Sequence, residues 1–440
     1  MTATIRKASL LAAAAFAALT TLPFDAARAF GAKALPAPKG EEVWLSEDHT
    51  LPMIALVASF PAGSAYDPKG KWGLAAFAAA LMDEGAGRLN GRQFHDALAD
   101  KAIQLEVEPD RDWTVVSVVT LSANAKEAFK LLALALARPR FDGDAIARVR
   151  AQMLQSIDRE DEDPAEVAAR EFHRLFFGWH PYAHPVSGDR AGLNAVQRGD
   201  LRAFAATHWV RGGVKIAVAG DVNAAQLTSY VKTTFGPLNA NAPPPLVHVG
   251  RLGAPGVHRY AMDVPQPNAV FGMPGVMRDD PDFIPAYVAN YILGGGGFAS
   301  RLTGEVREKQ GLTYDIDTEL DDMRRAATVE GLVATRADAM SDTLDAVRDT
   351  FAHFAADGPT PQELTDAKTY LTGSYPLAFA SDAGTAAQLA TFQRAGLDVG
   401  YVARRNALIN AVTLDDVRRV AKRVFDPKRL TIVVAGTMRK

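Results

Sequence analysis

The sequence predicts an α+β chain of two homologous layered halves joined by a linker. Its 440 residues exceed what one hydrophobic core ordinarily holds. Strand and helix periodicities recur in the same order before and after a proline- and glycine-rich break. The halves also repeat in letters. Val196–Val222 aligns without gaps on Val412–Met438, a shift of 216 residues that preserves Val196, Asp200, Arg202, Ala205, Ile216, Val218, Ala219 and Gly220. Each half thus reads as a β/α unit of about 200 residues, related to the other by duplication.

Residues 1–29 read as an export signal. Arg6 and Lys7 precede the apolar run Leu10 to Leu22, and Ala27-Arg28-Ala29 is a small-x-small cleavage signal. The run is too short and alanine-rich for a lasting anchor, so no stable membrane insertion is expected. Losing three basic residues and one acidic residue takes the formal charge from −3 to −5. The expected location is a bacterial periplasm. Residues 30–40 read as a flexible lead-in. The composition, 48% hydrophobic and 22% charged, is that of a soluble globular protein. No run of basic residues dominates, which argues against nucleic acid as a partner. The absence of cysteine excludes disulfides, thiolate metal sites and a cysteine nucleophile.

The first half, residues 30–238, opens with strands at Val43–Ser46 and Leu51–Phe60, the second nearly continuous and apolar as in a buried strand. A helix is expected from Gly73 to Asp83, then strands at Ile103–Val107 and Trp113–Leu121. Helical patterns follow at Ala125–Ala137, Gly143–Arg159, Ala165–Phe177 and Val196–His208, and Val214–Ala219 closes the half as a strand. The linker, residues 239–257, carries NANAPPPL and GAPG without periodicity. The second half, residues 258–440, repeats the order. Strands are expected at Tyr260–Val264, Ala269–Met273, Tyr314–Leu320, Ala327–Ala334 and Leu430–Ala435. Helices are expected at Pro285–Ile292, Met340–Ala356, Thr360–Tyr375, Thr385–Ala395 and Thr413–Val424.

The most informative stretch is Leu293 to Leu320, LGGGGFASRLTGEVREKQGLTYDIDTEL. Gly294, Gly295, Gly296 and Gly297 are expected to lie outside regular structure, letting the backbone turn or approach another chain closely. Ser300 offers an N-cap for a helix from Arg301 to Gln310, with Glu305 and Lys309 one turn apart. Gly311 suits a left-handed C-cap. From Tyr314 the period becomes two, with Tyr314, Ile316, Thr318 and Leu320 on one face. Arg307 and Tyr314, seven residues apart, can converge across this turn. On spacing alone, Arg307 equally serves the helix C-terminus and Tyr314 an ordinary strand. A guanidinium and a phenol held together would suit a peptide carbonyl, a carboxylate or a developing oxyanion.

This stretch resembles the glycine loop and Arg/Tyr segment of the pitrilysin/insulinase family of zinc metallopeptidases, which includes the mitochondrial processing peptidases. The resemblance covers the mature chain. It implies the processing-peptidase-like metallohydrolase fold, in which both halves are mixed-sheet α/β sandwiches. It further implies that Arg307 and Tyr314 contact substrate peptide beside a zinc centre. In catalytic members the first half carries H-x-x-E-H on a helix: two histidines bind zinc and the glutamate is the general base. Residues 63–87, GSAYDPKGKWGLAAFAAALMDEGAG, retain the flanks of that motif, but its His, Glu and His slots fall on Ala76, Ala79 and Ala80. The region of the distal glutamate ligand reads Met153-Leu154-Gln155-Ser156-Ile157. Alanine binds no metal and moves no proton, so no zinc is expected in this chain.

Other constellations fare worse. His180 and His184 are four apart, but Pro181 between them and the flanking Gly178 and Pro185 mark a loop. Glu171 and His173 read as surface residues, and the acidic run Asp158–Asp163 as a solvated helix end. Ser300 and Ser374 lack a nucleophile-elbow setting, and the glycines match no phosphate-binding pattern. The resemblance therefore implies a zinc-free subunit of a heterodimer, with zinc in a homologous partner whose site receives Arg307 and Tyr314, together with Gly294–Gly297, against peptide substrates. The alternative is a peptide-holding or scaffold subunit without turnover.

Overall fold

The computed structural model describes residues 31–37 and 40–437. The expected leader, residues 1–29, lies outside them. Strand β1 (Lys33–Leu35) is followed by β2 (Glu42–Glu47), β3 (Met53–Phe60) and helix α1 (Leu74–Ala80). A small hairpin, β4 (Gly85–Ala86) and β5 (Leu89–Asn90), leads into α2 (Gly91–Ala99). Then come β6 (Gln104–Pro109), β7 (Thr114–Leu121), α3 (Ala125–Ala137), α4 (Gly143–Glu162) and α5 (Pro164–Phe177). Helices α6 (Arg190–Ala195) and α7 (Arg198–His208), strand β8 (Lys215–Gly220) and α8 (Ala224–Phe235) complete the half.

The second half contains β9 (Gly256–Tyr260), β10 (Asn268–Pro274), α9 (Phe283–Asn290), β11 (Glu319–Asp322) and β12 (Ala327–Ala334). Helices α10 (Met340–Asp357), α11 (Pro361–Gly373), α12 (Asp382–Arg394), α13 (Tyr401–Ala411) and α14 (Leu414–Val424) precede β13 (Thr431–Ala435). Among the described residues, no helix is long and apolar enough to cross a membrane.

Two mixed sheets result. The first has the order β1-β2-β8-β3-β7-β6 and the second β9-β13-β10-β12-β11. Apart from the added β1, the sheets are equivalent strand for strand. In each, the first strand lies parallel to the last, and the other neighbours are antiparallel. Helices α7 and α14 are related by the same 216-residue shift seen in the letters. Duplication therefore holds in topology as well as in sequence.

The halves exchange helices. Helix α5 packs on β10 and β13 of the second sheet, and α12 packs on β3 and β8 of the first. Phe172, Phe176 and Phe177 of α5 form one buried cluster with Val270 and Val433. Gln393 of α12 is fully buried, and its Nε2 donates to the carbonyls of Glu42 (3.1 Å) and Ile216 (3.4 Å). Each sheet thus buries apolar area against a helix supplied by the other half, so neither core is complete alone.

Several local expectations are corrected. The lead-in is not free: Lys33–Leu35 pairs with Val43–Leu45 as β1. The strand expected at Tyr260–Val264 instead ends at Tyr260, because Gly256–Tyr260 pairs with β13, a partner some 175 residues away that no local pattern announces. Leu246 of the linker is buried under α5, and Gly253 N donates to Phe176 O (2.9 Å). Glu171 and His173 are not free surface residues. His173 Nε2 lies 3.0 Å from Glu330 Oε2 in the other half, and Glu171 pairs with Arg174 at 2.6 Å.

Candidate functional site

Helix α1 begins at Gly73, whose φ of 94° takes the left-handed region. Its orphan first-turn donors are met by buried Asp67, which accepts from Gly73 N (2.7 Å) and Ala75 N (2.8 Å). His184 Nε2 lies 3.0 Å from Ser64 O and 3.4 Å from Asp67 Oδ2, and Trp72 stacks on its ring at 5.2 Å. His180 accepts from Tyr182 N and caps the turn Pro181–Ala183. Both histidines of the HPYAH segment are thus buried and engaged in holding the loop and the start of α1.

On α1 itself Ala76 and Ala79 are buried and Ala80 faces solvent. None offers a nitrogen or oxygen ligand. At the distal position Ser156 Oγ donates to Glu160 (3.3 Å), which also accepts from Ser187. These residues do not fit a zinc ion held in the H-x-x-E-H manner. Among the described residues, one group of His and carboxylate ligand atoms lies within 4.8 Å of one another: Asp83, Glu84 and His95, just beyond α1. There His95 pairs with Asp83 at 3.1 Å, and Arg148 already pairs with Glu84.

The second-half segment is built differently from its sequence expectation. The glycines continue a helix: after α9, Tyr291–Gly295 forms a wide π-type turn that includes Gly294 and Gly295. Their lack of a side chain serves close packing. A Cβ on Gly294 would overlap Thr318 Oγ1 and come within 2.9 Å of Thr318 N. The segment is locked there by Asn290 Nδ2 donating to Thr318 O (2.9 Å) and Thr318 Oγ1 donating to Asn290 Oδ1 (2.9 Å). Replacing Gly294 with Val is expected to cost roughly 1–3 kcal/mol or more of overpacking strain. Urea unfolding checks this, and an unchanged midpoint would contradict it. Gly297 alone of the four takes positive φ, at 56°.

Ser300 Oγ accepts from Thr303 N (3.3 Å), as an N-cap should. The helix that follows is π-type over Thr303–Lys309 and stops at Gly311, where φ is 63°. Arg301 anchors it through Glu363 (2.6 and 2.7 Å) and the carbonyl of Gly358 (2.9 Å). Burial raises the Glu363 pKa, but the bonds from Arg301 and Thr360 outweigh it and hold the carboxyl at about 2. A depressed acid contributes stability that is complete above its unfolded pKa and is lost as pH falls through the folded one. The carboxyl is partly exposed, so solvent screens the pair and reduces this contribution, which is lost between roughly pH 4.5 and 2. Glu363→Gln is expected to lower stability at pH 7 and flatten the acid limb of the stability curve; an unchanged acid limb would contradict the assignment.

Arg307 and Tyr314 occupy distinct supports. The Arg307 guanidinium stacks 4.5 Å over the ring of Phe298, an aromatic 73% exposed. Tyr314 is not in the strand expected from periodicity, since β11 starts only at Glu319. Ile316 bridges to Val333 and is buried, as is Thr318, whereas Tyr314 is 88% exposed. It sits on a turn pinned by Thr313 Oγ1, which donates to Asp315 O (2.9 Å) or Ala334 O (2.8 Å), and by Thr335 Oγ1 donating to Leu312 O. Among the described residues, the Tyr314 hydroxyl has no hydrogen-bond partner. A turn held by hydrogen bonds thus presents a free phenol to solvent, and a separate aromatic platform holds the Arg307 guanidinium. Phe298 went unnoticed in the sequence; an aromatic directly after four glycines was its signal.

Below this turn the edge of the second sheet is acidic. Burial, and then Glu319 and Glu330, push Asp321 up to about 7 against the attraction of Arg111. Burial and Asp315 also raise Asp317.

Comparison with known proteins gives concordant results. The family model described as insulinase (peptidase family M16) matches residues 42–190, and the peptidase M16 inactive domain matches residues 195–371. A Helicobacter pylori protein named non-peptidase homolog YmxG is 26% identical over 334 residues, 75% of this chain and 77% of its own. An uncharacterized zinc protease of Streptomyces coelicolor is 29% identical over 297 residues, 66% of this chain and 64% of its own. The crystal structure of a peptidase M16 inactive domain from Pseudomonas fluorescens superposes with a TM-score of 0.88 at 29% identity, covering 93% of this chain and 98% of that one.

Proposed function

Because the chain belongs to the insulinase (M16) peptidase family and carries alanine at every ligand and base position of its zinc helix, we propose that it is the zinc-free subunit of an exported heterodimeric peptidase. The observation that carries this reading is the contrast between the halves: Ala76, Ala79 and Ala80 on α1, against Arg307 and an unpartnered Tyr314 on a pinned turn.

A zinc-bearing partner would supply the water activation that α1 lacks. In this chain the Tyr314 phenolic O–H donates a hydrogen bond to the scissile carbonyl oxygen as negative charge grows there. Arg307, restrained against Phe298, holds peptide carbonyl or carboxylate oxygens beside the cut. The turn's rigidity favours this role, since a preorganised donor loses little freedom when charge develops. A scaffold subunit would not need a free phenol on a pinned turn. Periplasmic location follows from the basic-apolar leader and its small-x-small end.

Purification from the native source tests the pairing. A stoichiometric homologue with intact H-x-x-E-H, carrying the zinc, is the expected companion. Recovery of the chain without any such homologue would contradict it.

A further inference from the structure

In the first half lies a groove of about 800 Å³ lined by six basic residues, Arg88, Lys130, Arg138, Arg140, Arg198 and Arg202, and one acid, Asp142. This concentration of positive charge belongs to a chain whose formal net charge is −3. Its walls are held by backbone bonds. Gly87 N donates to Arg138 O (2.9 Å) and Arg140 N to Gly85 O (3.0 Å), so the hairpin bearing Arg88 is fastened to the segment bearing Arg138 and Arg140. The opposite wall is α7, joined to the first by Arg198 donating to Arg140 O (2.9 Å).

The charges are poorly matched from within. Asp142 serves Arg140 (2.6 Å) and Arg198 (3.6 Å), and Lys130 has Glu127. Among the described residues, Arg88, Arg138 and Arg202 have no carboxylate within ion-pair distance. Arg138 at the end of α3 gains from the helix dipole, but Arg198 opens α7, where a cation is unfavourable. Arg202 lies one turn after Arg198, a like-charge pair that costs the helix further. Such an arrangement is relieved by an external anion.

We propose that this groove binds two or more phosphate groups together, one addressed by each arginine wall. Planar guanidinium forks match phosphate oxygens in pairs. A groove of this size accepts a ligand rather than a bare ion. It has no aromatic side chain on which bases could stack, which sets it apart from a single-stranded nucleic-acid channel. The phosphates belong either to a soluble organophosphate or to anionic lipid headgroups. The inference does not depend on the peptidase reading.

Titration calorimetry of the full chain with inorganic pyrophosphate at low ionic strength tests the first source. Flotation with phosphatidylglycerol vesicles, against phosphatidylcholine vesicles, tests the second. At least one arm is expected to bind, with affinity falling as salt rises. The double variant Arg138→Glu/Arg202→Glu is expected to weaken that binding about tenfold or more, while a charge-matched Arg336→Glu/Arg404→Glu control leaves it near the wild-type value. Binding to phosphatidylglycerol vesicles alone assigns the headgroup, and binding to pyrophosphate assigns the soluble ligand. Binding in neither arm, retention by the double variant, or an equal loss in the control overturns the proposal.

Discussion

Tyr314→Phe in this chain, mixed with the zinc-bearing partner, is expected to lower kcat/KM for peptide hydrolysis by about 10²–10³-fold, or ~3–4 kcal/mol of transition-state stabilisation. The substitution removes one hydroxyl and leaves the ring. That hydroxyl is the free donor on the turn pinned by Thr313 and Thr335. Because the side chain is 88% exposed and its hydroxyl has no hydrogen-bond partner among the described residues, stability should not change. Loss of activity with an unchanged melting temperature therefore separates a catalytic role from a structural one. Arg307→Ala should act more on KM than on kcat, since holding substrate equally in ground and transition states is uniform binding. Full activity of the Tyr314→Phe pair would remove the assigned role.

Phe172→Ala is the structural counterpart and is expected to destabilise the chain by about 3–5 kcal/mol. Phe172 is fully buried, stacks on Phe176 at 5.1 Å, and lies on the helix that the first half lends to the second sheet. Its loss leaves a cavity where α5 meets β10 and β13. With the halves sharing their helices, unfolding should remain a single transition in both wild type and variant. Chemical denaturation followed by circular dichroism and tryptophan fluorescence reads both quantities. Two separated transitions, or a loss below about 1 kcal/mol, would contradict the exchanged-helix account.

Much of this architecture was legible in the letters. The 216-residue repeat identified two equivalent halves, and helices such as α3 and α10 start where their periodicity starts. Four helices went unread: α2 and α8, then α6 and α13. The first two announce themselves by Asn-x-x-Gln capping boxes, at Asn90/Gln93 and Asn223/Gln226, rather than by a clear apolar stripe. Strand β9 was misplaced because its partner is β13, and pairing across a chain is a long-range property.

At the site, the three alanines and the Arg/Tyr pair could be read from sequence, but their setting could not. Four glycines suggested a loop, whereas packing against Thr318 places Gly294 and Gly295 within a helix. Period two from Tyr314 suggested a strand, but Thr313 turns the chain, leaving Tyr314 outside the sheet. The basic groove was illegible for the same reason as β9. Arg88, Arg138 and Arg202 are dispersed along the chain, and only the fold gathers them.

The most direct measurement is peptide hydrolysis with metal analysis on three samples: this chain alone, the zinc-bearing homologue alone, and their equimolar mixture. The account predicts no bound zinc and no turnover from this chain alone, and cleavage by the mixture well above that of the homologue. Stoichiometric zinc in the isolated chain together with cleavage by it would contradict the account.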